Sequence, residues 1–295
     1  MSVPEISVII PSYRAREYVD ACMASMLHSP SSAPFEVIIV ESSGDGTAEY
    51  IRRAHPAVNV IALPQRAYPG EARNIGIQAA QGGIIVFTDM DCVAQPGWLD
   101  TIRRLHRETR YRVIGGAVAN GTPDSLIGTA EYFVEFNEFT PFRPEGAARL
   151  LPTCNVALKK EIFAQYGGFE AVIKGSDTLF TRRLIEQGEP IYFTPAFQVA
   201  HRNRTEFRRF LNNQAELGKG SAQIRRRTAM PGSVMVRQPL LIPLIPALRL
   251  FNIGMRLLRQ RPALFMRFAL LLPWVGAGLC SYARGFWHEA RRPSS

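Results

Sequence analysis

Residues 84–92 read IIVFTDMDC: four apolar residues from Ile84, a threonine, then Asp89 and Asp91 with one residue between them. The apolar run is short and uninterrupted, the pattern of a strand buried on both faces. Its neighbours repeat that pattern. Strand candidates at Ile6–Ile10, Phe35–Val40 and Val58–Ala62 alternate with helix-like stretches near Glu17–His28, Thr47–Ala54, Gly70–Ala80 and Gly97–Arg107. Alternation of this kind predicts βαβ units, hence an α/β fold with a mostly parallel, Rossmann-like sheet flanked by helices.

In such sheets ligands bind beyond the carboxyl ends of the strands. Three polar stretches fall there: PSYR (Pro11–Arg14), ESSGDGT (Glu41–Thr47) and the Asp89–Asp91 pair. All three are expected to converge on one crevice. If the backbone stays extended past Thr88, Asp89 and Asp91 project to the same side and Met90 to the other. Two adjacent carboxylates repel, and Mg²⁺ or Mn²⁺ relieves that while also binding phosphate oxygens. A solvated loop carrying two acids has the same spacing, so the pattern leaves both readings open. No Gly-x-Gly-x-x-Gly follows a strand, and LGKGS (Leu217–Ser221) lacks the P-loop spacing, which excludes dinucleotide and P-loop sites.

The second half is less regular. Val113–Val118 and Asn155–Leu158 are strand candidates, DTLFTRRLIEQG from Asp177 reads as a helix closed by Gly188, residues 189–204 suggest two short strands, and 205–227 a polar helix. From Gln238 the composition becomes apolar and basic, which sets an expected boundary between a domain at 1–228 and a helical segment at 229–295. The apolar run Phe268–Ala283, bracketed by Arg267 and Arg284 with Trp274, Tyr282 and Trp287 nearby, falls just short of a typical bilayer span and is expected to contact a membrane. A pair of core helices is the other reading of the same stretch.

The chain of 295 residues carries 35 basic and 25 acidic residues, a net charge of +10, with much of the excess after His201. Those basic stretches are interleaved with aliphatic runs rather than stacking aromatics, which fits an anionic lipid surface better than nucleic acid. The four cysteines are dispersed, neither a zinc framework nor a disulfide scaffold, as expected in a reducing compartment. The N-terminal MSVPEISVIIPSYR has no basic start, long apolar run or small-residue cleavage site, so no signal peptide is expected, and the Asn120 and Asn203 sequons are chance matches.

Taken in order, ISVIIPSYR, EVIIVESSGDGT, PGEARNIGIQAAQGGIIVFTDMDC, YGGFE, SDTLFTRRL and FQVAH resemble the family 2 glycosyltransferases of GT-A fold across residues 5 to 220. The resemblance implies a nucleotide-diphosphate sugar donor, transferred with inversion to an acceptor hydroxyl with the help of Mg²⁺ or Mn²⁺. It implies that Pro11, Ser12 and Tyr13 line the nucleobase pocket. Glu41 stands where the family usually has a base-contacting aspartate, one methylene shorter. Arg73 and Asp89 would lie near the donor, Asp89 and Asp91 would meet the metal, and His201 would complete its site. Without the resemblance, Arg73 reads equally as a helix-surface arginine and His201 as a structural residue. Asp177 would be the catalytic base. The family motif there is typically Glu-Asp, and this chain has Ser176-Asp177; a bare helix-N-terminal aspartate, stabilising by ~0.3–1 kcal/mol, is the competing reading. The Gln-x-x-Arg-Trp motif of processive members is absent from QAELG (Gln214–Gly218), which implies addition of one sugar.

The acceptor expected from these features is a sugar or lipid-linked glycan at the cytoplasmic face of the cell membrane, in envelope glycan or glycolipid assembly. Three competitors share parts of the pattern. A polyprenyl-phosphate sugar synthase uses the same donor but an already charged acceptor that needs no base. A nucleotidyltransferase usually opens on a Gly-rich basic loop, which PSYRAREY lacks. A non-catalytic membrane-associated protein would rest on the basic tail alone.

Overall fold

The computed structural model describes residues 3–29 and 31–292. The extreme ends of the two expected domains, residues 1–2 and 293–295, lie outside the described residues. The strands are β1 (Ile6–Ser12), β2 (Phe35–Glu41), β3 (Asn59–Ala62), β4 (Ile84–Thr88), β5 (Cys92–Ala94), β6 (Val113–Asn120), β7 (Gly146–Ala147), β8 (Asn155–Lys159) and β9 (Ile191–His201). The α-helices are α1 (Val19–Leu27), α2 (Thr47–Ala54), α3 (Pro69–Ala79), α4 (Trp98–Glu108), α5 (Leu126–Phe136), α6 (Glu161–Tyr166), α7 (Ser176–Glu186), α8 (Phe207–Arg227), α9 (Val234–Arg237), α10 (Ile245–Gln260), α11 (Pro262–Leu270) and α12 (Leu272–Ala290).

The chain divides into two compact units. The first comprises Met1–Gly121, Arg143–Ala171 and Ser176–His201, and the second Thr122–Phe142, Val172–Gly175 and Arg202–Ser295.

The first unit holds one nine-stranded sheet, in the order β3-β2-β1-β4-β8-β6-β9-β5 with β7 added beside β9. Its β3-β2-β1-β4 half is parallel, as the strand–helix alternation predicts. Beyond β4 the sheet is mixed, because β8 runs antiparallel to both β4 and β6. Consecutive side chains Val8, Ile9 and Ile10 are all fully buried, so both faces of β1 are covered. That is why these strands are continuously apolar. Helix α3 packs on β1 and β2, α1 on β5 and α4 on β9.

Residues 191–201 form one strand rather than two short ones. The break expected there appears in its pairing: Gly116 partners Thr194 but Ala117 partners Gln198, so Pro195–Phe197 bulge out of register. Proline cannot donate to a ladder, and such positions are where sheets accept it. Fully buried Asn155 fills the gap, its Nδ2 donating to Ala117 O at 2.8 Å and Phe197 O at 3.3 Å while its Oδ1 accepts from Trp98 Nε1 at 2.9 Å. The bulge lets β9 bend and still end in register beside β5.

The second unit is helical. Helix α8 packs along α12, and a Cβ at Gly218 would stand 2.0 Å from Tyr282 O and one at Gly285 1.9 Å from Ala215 O. Only glycine permits that backbone approach. The contact draws α8 into this unit, so the division by contacts precedes α8, whereas the composition shift at 228/229 follows it. The apolar run Phe268–Ala283 is not one rod: α11 and α12 meet at an angle of 77°. Pro273 in the first turn of α12 cannot donate a backbone hydrogen bond into the preceding turn, so the helix restarts there. By length and composition, one helix among the described residues could cross a bilayer, Pro239–Gln260, a proline-rich 3₁₀ turn continued by α10.

Candidate active site

Sheet register brings the first two polar stretches together. Ser12, the last residue of β1, partners Glu41, the last of β2. Pro11 and Tyr13 are half-buried on either side of buried Ser12, whose Oγ has no hydrogen-bond partner among the described residues. Arg14 takes φ +52°, a left-handed conformation uncommon outside glycine, asparagine and aspartate, and its N–H donates to Ser43 Oγ at 2.5 Å. The Ser43 hydroxyl in turn donates to Glu41 Oε1, which also accepts the Ser43 N–H at 2.9 Å. Glu41 is 2% exposed, so the extra methylene folds the carboxylate back onto its own loop. Over the Tyr13 ring lie the guanidiniums of Arg66 at 4.3 Å and Arg14 at 5.3 Å. Arg66 also stacks on Tyr68 at 5.1 Å. Arg66 does not stand out in the sequence, because it lies in a loop with no periodicity to mark it, whereas Ser43 falls inside the ESSGDGT stretch.

The third stretch departs from the extended path. The Cys92 N–H donates to Asp89 O at 3.1 Å, closing a turn over Asp89–Cys92 with Met90 buried inside it. The two carboxylates take different partners. Asp89 Oδ1 accepts from Arg73 Nη2 at 2.7 Å, an ion pair in which the arginine side chain is 5% exposed and the aspartate 33%. Asp91 Oδ2 lies 3.4 Å from His201 Nε2. The second pairing follows from the sheet. The turn starts β5 antiparallel to β9, and Cys92 faces His201 across that ladder.

Arg73 is no surface residue. It sits one turn into α3, which begins at Pro69 and comes unusually close to the start of α7. A Cβ at Gly70 would stand 2.9 Å from both Glu170 O and Ser176 Cβ. That approach brings Asp177 into the same region. Burial pushes the Asp177 carboxyl above the ordinary aspartate range; the Arg73 guanidinium pulls it down and the Asp89 charge pushes it up again. Asp177, Arg73 and Asp89 thus share one electrostatic field. Asp177 Oδ1 also accepts the Thr178 N–H at 2.8 Å, so the helix-N-terminal role holds as well. Buried Arg73 Nε has no hydrogen-bond partner among the described residues.

The donor set suits a hard divalent cation. One ligand atom each from Asp91, Cys92 and His201 lies within 4.8 Å of the others. Carboxylate oxygen and imidazole nitrogen are ligands that Mn²⁺ and Mg²⁺ accept. Burial, followed by the neighbouring Cys154 thiol, raises the Cys92 thiol well above the cysteine range. It faces the pair as a neutral S–H, a poor donor to a hard ion. Asp91 and His201 would hold the cation, with Asp89 one turn residue away.

With a parallel half-sheet ending in these loops, an acid-bearing turn after β4 and a mixed outer half, the chain has the arrangement that the GT-A resemblance implies. It belongs to glycosyl transferase family 2, whose family model matches residues 7–167. The glycosyltransferase AglE of Haloferax volcanii is similar, at 27% identity over 230 residues, covering 76% of this chain and 75% of that one. Two solved structures share the fold. The mannosyltransferase PcManGT from Pyrobaculum calidifontis, in complex with GDP-Man and Mn²⁺, has a TM-score of 0.62 at 18% identity, covering 97% of this chain and 88% of that one. GalNAc-T7 with UDP, GalNAc and Mn²⁺ has a TM-score of 0.54 at 15% identity, over 70% of this chain and 45% of that one.

Proposed function

We propose that the enzyme is an inverting glycosyltransferase that moves one sugar from a nucleotide-diphosphate donor to an acceptor hydroxyl in glycan assembly. The observation that supports this reading is the approach of Asp177 to the Arg73–Asp89 ion pair that directly follows β4. Asp177 serves as the base: it takes the proton from the acceptor hydroxyl as that oxygen bonds to the anomeric carbon and the bond to the diphosphate breaks. A carboxyl with a raised pKa holds that proton better than an ordinary aspartate. Arg73 keeps Asp177 ionised enough to act and orients Asp89 toward the donor. Tyr13, with Pro11 and Ser12, bounds the nucleobase side, and Glu41 stiffens the loop beside it. Mn²⁺ or Mg²⁺, held by Asp91 and His201 with Asp89 nearby, would neutralise charge developing on the diphosphate.

The solved relatives bound to GDP-Man or UDP together with Mn²⁺ support a nucleotide sugar and a divalent cation. The basic, apolar second unit supports work at the cytoplasmic membrane surface on a lipid-linked acceptor. Asp177→Asn tests the assignment. Transfer is expected to fall by ~10²–10⁴, with the affinity for GDP or UDP little changed. Unchanged turnover refutes the role of Asp177, and activity retained only toward a phosphate acceptor assigns the enzyme to polyprenyl-phosphate sugar synthesis.

A further inference from the structure

The second unit contains an open, polar cavity of about 280 Å³, lined by none of the residues placed in the candidate active site. Arg225, Arg226, Arg237 and Arg292 line it, with Val236 and Ala290 as its apolar part. Among the described residues, Glu289 pairs with one of these arginines, Arg292, at 3.2 Å. Two of the arginines are fixed by the fold: Arg225 Nε donates to Pro231 O at 2.9 Å, and Arg226 Nη2 donates to Arg292 O at 2.6 Å. Arg237 is exposed and has no carboxylate partner among the described residues. Arg225, Arg226 and Arg237 have no carboxylate partner among the described residues, and guanidinium forks gathered around one hollow match the oxygens of a phosphate group.

The surroundings say which phosphate. Val236 and Ala290 pack on the same apolar cluster as Ile242 and Ile245. Those two isoleucines face inward from the Pro239–Gln260 segment, whose other side carries Leu240 at 86%, Leu244 at 52%, Leu248 at 49% and Phe251 at 67% exposure. One short segment therefore joins a cationic hollow to an outward apolar face. That pairing of charge with aliphatic surface fits a phospholipid, with headgroup in the hollow and chains against the leucines.

We propose that Arg225, Arg226, Arg237 and Arg292 form a phosphate-headgroup site by which the second unit docks on an anionic phospholipid surface, independently of sugar transfer. The test uses the full chain and co-sedimentation with vesicles of phosphatidylcholine alone or mixed equally with phosphatidylglycerol. The chain should partition onto the mixed vesicles. Arg237→Gln with Arg292→Gln should weaken that partitioning by about fivefold for each arginine. Both positions are exposed, so the fold should survive, and thermal stabilisation by GDP or UDP with Mn²⁺ reports this separately. Arg208→Gln with Arg259→Gln removes the same charge from exposed helical positions outside the hollow and should cost no more than about threefold. Equal losses from the two pairs would mean diffuse attraction and overturn the site. Stabilisation by inorganic phosphate without vesicle binding would assign the hollow to a free anion and overturn the lipid assignment.

Discussion

Replacing Arg73 with methionine keeps the packing of its alkyl chain and removes its charge. The guanidinium is 5% exposed and bonds Asp89 at 2.7 Å. Removing one partner of a buried ion pair costs ~3–5 kcal/mol, because the other charge stays behind unpaired. Asp89 is 33% exposed and can regain water, so the lower end applies, ~3 kcal/mol. At roughly 2–4 °C per kcal/mol for a domain of this size, the melting point should fall by about 6–12 °C. Urea titration gives the free energy, and adding Asp89→Asn to the variant should recover much of it, since the stranded charge is then gone. A second effect separates electrostatics from packing. Arg73 pulls the Asp177 carboxyl down, so its loss should move the acid limb of the pH–activity profile to higher pH. A stability loss below ~1 kcal/mol, typical of a surface pair, together with an unmoved acid limb, would refute the coupling.

Asp177→Asn should stabilise the fold near neutral pH while abolishing transfer. A carboxyl whose folded pKa is raised lowers stability as pH rises from its unfolded pKa through the folded one, so the advantage of asparagine should vanish as pH falls below the ordinary aspartate range; a gap independent of pH would contradict it. Asn155→Ala removes three buried hydrogen bonds at the β9 bulge and should cost ~2–4 kcal/mol in urea unfolding. Gly70→Ala forces a Cβ to within 2.9 Å of Glu170 O and should cost ~1–3 kcal/mol and reduce activity by displacing α3 from α7; wild-type stability would show that the approach can relax.

Much of this architecture is legible in the residues. The strands β1, β2 and β4 announce themselves because burial on both faces makes their central residues a continuous apolar run. Helix α5 does not, for the same reason: eight of its eleven residues are buried, Glu131 among them, so it shows no polar stripe. The acids after β4 are visible as a pair, but their separate partners depend on the Asp89–Cys92 turn, closed by one backbone hydrogen bond that no side-chain pattern encodes. The Asp91–His201 approach joins positions 110 residues apart through the β5–β9 ladder, and the Arg73–Asp177 field depends on the bare backbone at Gly70. The hollow formed by Arg225, Arg226, Arg237 and Arg292 was readable only as an excess of charge, since its shape depends on how α8, α9 and α12 pack.

The most direct test is titration calorimetry of GDP and UDP with and without Mn²⁺, on the wild type and on Asp91→Ala. Cation-dependent binding of one nucleotide to the wild type, lost in Asp91→Ala, is the predicted result. Binding that is indifferent to Mn²⁺, or equally strong in Asp91→Ala, would contradict the assignment of Asp91 and His201 as the cation's holders.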